Sequence, residues 1–101
     1  MLVIVFRARA RAGAEAELVT LGTRMYQLAS AMPGFISYKD YQAADGEAVS
    51  VVEFADALSL RAWREHPEHL RAQQLARDGL LVSYRVQVCE QLRVSAFPTR
   101  I

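Results

Sequence analysis

One short segment concentrates the side chains that could do chemistry. It reads Ala62-Trp63-Arg64-Glu65-His66-Pro67-Glu68-His69-Leu70. An imidazole titrates near neutrality, so His66 could take a proton from a weakly acidic ligand. The indole of Trp63 could form one wall of a cavity for an aromatic ligand, although its apolar spacing fits plain core packing as well. His66 and His69 stand three apart, which on an unbroken helix would place two imidazoles on one face for a metal. Pro67 works against that, because the residue before a proline is pushed out of helical geometry. No His-Glu-x-x-His pattern occurs, and no third ligand is evident. The plainer reading has His66 capping the break and His69 partly exposed.

Other groups are dispersed. Tyr26, Tyr38, Tyr41 and Tyr84 could orient an oxygenated ligand, or pack half-buried with a wet hydroxyl. Arg7 and Arg85 fall in strand segments, with Glu53 or Glu90 as candidate carboxylate partners. Cys89 is the only cysteine, which rules out an internal disulfide and a cysteine-based zinc site. There is no phosphate loop, dinucleotide glycine pattern, nucleophile elbow or paired-carboxylate motif.

With 12 Lys+Arg against 11 Asp+Glu the formal charge is +1, too little for an electrostatic grip on nucleic acid. The 101 residues suffice for one domain and leave no room for a second. Residues 1–94 are read as that domain and 95–101 as a tail. The apolar run Leu2 to Phe6 ends at Arg7, too short for a membrane span or a signal-peptide core. A cytoplasmic protein is the expectation.

The elements that must position these residues follow from pattern. Residues 2–9 read as a strand, β-branched and aromatic at its start. Over 14–32, Leu18, Leu21, Met25, Leu28, Ala29 and Met32 recur at helical steps, and Pro33-Gly34 stops the run. Residues 35–42 and 48–55 read as strands joined through Asp45-Gly46, a hairpin signal. Alternation puts Phe35 with Ser37, Lys39 and Tyr41 on one face, and Ile36 with Tyr38 on the other. Asp56 is a plausible N-cap for a helix over 57–65, and Pro67 opens a second helix ending near Arg77. Residues 80–94 hold the last strand.

The order β-α-β-β-α-β predicts an α+β, ferredoxin-like plait: a four-stranded antiparallel sheet with its helices on one face. Strands one and three carry apolar residues at both parities, such as Val49 and Val51 against Val52 and Phe54. Such a sheet needs cover on both sides. A second copy stacked sheet on sheet would supply it.

Met32-Pro33-Gly34-Phe35-Ile36-Ser37-Tyr38, Asp45-Gly46, Val51-Val52-Glu53-Phe54, Ala62-Trp63 with His66-Pro67-Glu68-His69, Ala72-Gln73 and Tyr84-Arg85-Val86 together resemble the antibiotic biosynthesis monooxygenase family. The resemblance implies a dimeric α+β barrel with a cavity between helices and sheet in each subunit. The family spans several activities, and its characterised members include two kinds of enzyme. In cofactor-free oxygenation a deprotonated phenolic or anthrone substrate itself activates O₂. In haem degradation an axial histidine holds the iron, and Gln73 stands where that histidine is expected.

The expectation is a cofactor-independent monooxygenase of a small aromatic, quinol-like molecule. His66 and Trp63 are its catalytic residues, and Tyr38, Tyr84, Phe54 and Gln73 bind substrate. No metal is called for. Haem binding with degradation, and a non-enzymatic dimeric ligand-binding module, are the alternatives. Partners are a second copy and a small apolar molecule, with neither nucleic acid nor membrane.

Overall fold

The computed structural model describes residues 1–98. Four strands, β1 (Leu2–Ala10), β2 (Phe35–Gln42), β3 (Ala48–Phe54) and β4 (Leu81–Glu90), form one antiparallel sheet in the order β2-β3-β1-β4. Helix α1 (Glu15–Ser30) links β1 to β2, while α2 (Ala57–Arg64) and α3 (Pro67–Leu75) link β3 to β4. This is the expected α+β plait, with the second crossover helix split in two at His66-Pro67.

Local chemistry sets the boundaries. Glu15 and Glu17 lie in the first turn of α1, favourably placed for its dipole. After α1 the chain turns at Gly34, which has φ +81°. A Cβ there would come within 2.1 Å of the Ser59 hydroxyl oxygen, so glycine is required both for its backbone angle and for space. The Asp56 carboxylate accepts from the Ser59 amide at 2.8 Å and caps α2.

Two elements end differently from the sequence reading. Instead of stopping at Asp78-Gly79, α3 passes into one π-helical turn, Ala76–Leu80, delivering Leu81 buried to the start of β4. The last strand ends at Glu90, short of residue 94, once the Gln91 amide has bonded the Met1 carbonyl and no strand remains to pair with. Residues 91–98 then run on without regular structure, Leu92 and Phe97 almost fully exposed. The final residues of the proposed tail, 99–101, lie outside the described part.

Ile4, Val52 and Phe54 from the sheet meet Met25 and Ala29 of α1, Leu60 and Trp63 of α2, and Ala72 of α3 in the main core. A smaller cluster of Ala8, Ala76 and Leu81 sits further along, with Phe6, Leu18 and Tyr84 against it. Facing assignments held for β3 but not for β2. A register shift between Phe35 and Ser37 pairs Phe35 with Phe54 and Tyr38 with Val52, so Phe35 and Tyr38 both turn to the helices. Ile36 occupies the irregularity and is 47% exposed.

The face opposite the helices carries Val3 and Val5 of β1, Val49 and Val51 of β3, and Lys39 and Tyr41 of β2. Arg7 there bonds Glu47 at 3.2 Å, not Glu53 or Glu90. The register explains this: Arg7 pairs with Val49, beside Glu47, while Glu53 lies opposite Val3 and accepts from the Ser37 hydroxyl. Arg85 stands directly opposite Arg7 on β4.

Candidate active site

The break between α2 and α3 builds the chemically distinctive corner of the fold. Pro67 sits in the first turn of α3, and the His66 backbone is extended with φ −60° and ψ 131°. Freed from helical geometry, His66 caps α3 through its ring: the Glu68 amide donates to Nδ1 at 3.1 Å. The chain then doubles back, so that the first turn of α3 returns over the last turn of α2. The imidazole of His69 thereby stacks on the Trp63 indole, centroids 4.4 Å apart and planes 17° from parallel. The ring of His66 lies 5.8 Å from the same indole at a steeper tilt.

Trp63 is only 5% exposed, so its indole is packed rather than open. His69 is half-buried, and its Nδ1 is fully enclosed with no hydrogen-bond partner. Burial pushes the His69 imidazolium below the ordinary histidine range. The carbonyls of Arg64 and Trp63 pull the other way, and the charge of His66 adds to the lowering.

The remaining expected site residues are spread more widely. Phe54 has no exposed surface and backs the core behind Trp63. Tyr38 packs against that same core, its ring 5.6 Å from Tyr26 and close to edge-on. Burial raises the Tyr38 phenol above its ordinary value, the Asp40 carboxylate adds to this, and Ser50 opposes it. Tyr84 belongs to the smaller cluster, where its hydroxyl accepts from Arg77 Nε at 2.8 Å and its ring lies 5.7 Å from Phe6. Gln73 is half-buried on α3, one turn beyond His69 and on the same side of the helix.

The structure thus gathers Trp63, His66 and His69 tightly, sets Gln73 one turn away, and keeps Tyr84 at a separate cluster. Two features went unforeseen in the sequence reading. His69 was weighed there as a metal ligand or a partly exposed residue, not as the ring stacked on Trp63 across the proline break. Ser50 and Asp40 beside Tyr38 could have been read from the hairpin, since a turn centred on Asp45 pairs residue 40 with 50.

The two best-formed grooves run elsewhere, between α1 and α3, with volumes of about 490 and 370 Å³. Leu21, Arg24 and Leu75 line both, and none of the six expected site residues lines either. Arg24 spans this side, bonding both carboxylate oxygens of Glu68 at 3.0 and 2.9 Å.

The opposite side of α3 is different. Ala72 and Ala76 are buried, and Pro67, Glu68, Arg71 and Leu75 point toward α1. That leaves His69 and Gln73 on the flank turned away from α1. On β4, Val86 and Val88 face the helices, opposite Phe6 and Ile4, yet are 50% and 52% exposed. They form an exposed apolar strip on the helix-facing side of β4.

Haem does not fit this arrangement. Gln73 offers an amide where the axial imidazole would stand. Neither groove is lined by a histidine. Among the described residues no group of three His, Cys, Asp or Glu side chains is placed to hold a metal ion. No helix there is long and apolar enough to cross a membrane.

Comparison with known proteins places this geometry in a lineage. Uncharacterized protein YqjZ of Bacillus subtilis is 32% identical over 74 residues, which are 73% of this chain and 65% of YqjZ. Rv0793 of Mycobacterium tuberculosis superposes with a TM-score of 0.84 at 25% identity, covering 94% of this chain and 98% of Rv0793. SnoaB, a cofactor-independent oxygenase of Streptomyces nogalater, shares the fold with a TM-score of 0.80 at 16% identity, over 97% of each chain. Residues 1–75 match the family described as antibiotic biosynthesis monooxygenase, and the chain belongs to that family.

Proposed function

We propose that the protein is a monooxygenase that needs no cofactor and acts on a small aromatic quinol as a homodimer. Family membership supports the reaction class. The observation that carries the reading is the Trp63 indole flanked by two imidazoles, on a fold whose last strand leaves Val86 and Val88 exposed on its helix-facing side. Trp63 backs the substrate ring, Phe54 stiffens that backing, and an imidazole of the cluster, with His66 the first candidate, takes the phenolic proton. Gln73, Tyr38 or Tyr84 holds a substrate oxygen.

Removing the proton is the demanding step, since a quinolate passes an electron to O₂ far more readily than a neutral phenol. Recombination of the resulting pair forms a C–O bond. The O–O bond then breaks, one oxygen staying on the ring carbon and the other leaving as water. The quinol supplies all four electrons and ends as a hydroxyquinone. Run under isotopically labelled O₂, the reaction places one labelled oxygen in the quinone. Product without label removes this reading.

The second copy covers the face holding Val3, Val5, Val49 and Val51. Each 100 Å² of apolar surface removed from water there contributes roughly 2.5 kcal/mol. The site remains within one protomer, and the dimer holds the sheet that supports it.

A non-enzymatic role in binding the same class of ligand is favoured by one specific observation: Trp63 is packed, and neither of the two grooves described reaches it. Binding of the quinol without O₂ uptake would select that role.

A further inference from the structure

We propose that residues 91–97 of each copy form an exchanged arm, a short strand that adds to the free edge of the partner's β4. The proposal rests on the homodimer reading above and says how its two copies are clasped.

The segment has the pattern of a strand and nothing in its own chain to pair with. Leu92, Val94 and Ala96 alternate with Arg93 and Ser95, the period-two signature of a strand. Pro98, which has no amide hydrogen to give, suits the end of such a run. Yet β4 stops at Glu90, and residues 91–98 continue without regular structure. The cause is positional. The Gln91 amide bonds the Met1 carbonyl at 3.0 Å, and there the chain of the neighbouring strand runs out.

The side chains agree. Leu92 is 93% exposed and Phe97 99%, so both forgo nearly all the gain that burial gives an apolar group. Two large apolar side chains held this far from their own core are built to be covered by something else.

The order β2-β3-β1-β4 leaves β2 and β4 at the edges of the sheet. The pairing of β2 is interrupted at Ile36, a device that spoils an edge for further strands. From Ser83 to Glu90, by contrast, β4 pairs with β1 without a break, and Val86 and Val88 beside its edge are half exposed. An unbroken apolar edge of this length is a template for another strand.

The arm cannot fill the edge of its own β4. It continues that strand directly, so folding back needs a tight turn, and residues 91–97 hold no glycine, proline, asparagine or aspartate to make one. A second copy offers the same edge without the turn. Each copy then has one arm to give and one edge to fill, so the exchange closes at two. With Leu92 and Val94 turned to the helix-facing side, they become cross-strand neighbours of the partner's Val86 and Val88 and widen that apolar strip.

The test uses full-length chains, half ¹³C-labelled and half unlabelled, in filtered spectra that report only contacts between copies. Contacts from the Leu92 and Val94 methyls to the partner's Val86 and Val88 are expected. A dimer whose contacts join only the sheet faces, or whose arm meets any other surface, overturns the arm and leaves the stacked dimer standing. A monomeric sample overturns both. In sedimentation, Leu92→Asp combined with Phe97→Asp alters two side chains that are exposed in the protomer and should raise the dimer dissociation constant by about ten-fold or more. A dissociation constant equal to that of the wild type overturns the arm.

Discussion

The imidazole of His69 lies face to face with the indole of Trp63, 4.4 Å away, although five residues, a proline among them, separate the two in the chain. The proline is the cause: it ends α2, hands the cap to His66, and folds α3 back over its predecessor. Every functional inference about this protein depends on that reversal.

Protonation of His69 should weaken the native state. Its folded value lies below the unfolded one, so the native chain binds fewer protons and its stability is complete only above the ordinary histidine range, about 6.5. As pH falls through that range toward the folded value, stability is lost. His66 is the charged neighbour that reaches the ring, with Arg64, Glu65 and Glu68 on the same two helices. Denaturation midpoints should drop on acidification in the wild type and change far less in His69→Gln.

Trp63 is the only tryptophan, so its emission reports on one place. A protonated imidazole stacked on an indole quenches it. Fluorescence should fall with a midpoint below the ordinary histidine value of about 6.5, and His69→Gln should abolish the transition. A midpoint unchanged in that variant would show the stack to be irrelevant.

Much of this protein could be read before its structure. The helical stripe on α1, the Asp45-Gly46 hairpin and the Asp56 cap each rest on local chemistry, and each stands where the residues put it. What failed was non-local or register-dependent. The irregularity at Ile36 turned Phe35 to the other face, because alternation has no memory across an inserted residue. The role of His69 was hidden because spacing rules count along an intact helix, and Pro67 breaks it. The π-helical turn after Leu75 has no sequence signal that a normal helix end lacks.

Gly34→Ala should be costly. The residue sits at φ +81° and the new Cβ would meet the Ser59 side chain. A loss of roughly 2 kcal/mol or more is expected in chemical denaturation. Gly22→Ala, inside α1 with open space around it, should instead stabilise by about 0.5–1 kcal/mol.

The bare sheet face gives a separate test of the dimer. Val5 and Val51 pair across β1 and β3 at its centre. Sedimentation of the wild type at micromolar strength should show dimers, and Val51→Glu should yield folded monomers. Monomeric wild type would remove the second copy from the account.

The most direct measurement is oxygen consumption with 1,4-naphthalenediol, followed with and without catalase. One O₂ should disappear per diol, giving hydroxynaphthoquinone and water without peroxide, and replacing both imidazoles, His66→Gln with His69→Gln, should slow it by about 100-fold or more. Consumption no faster than in buffer, peroxide as the reduced product, or an unimpaired enzyme lacking both imidazoles would contradict a proton-taking corner built around Trp63.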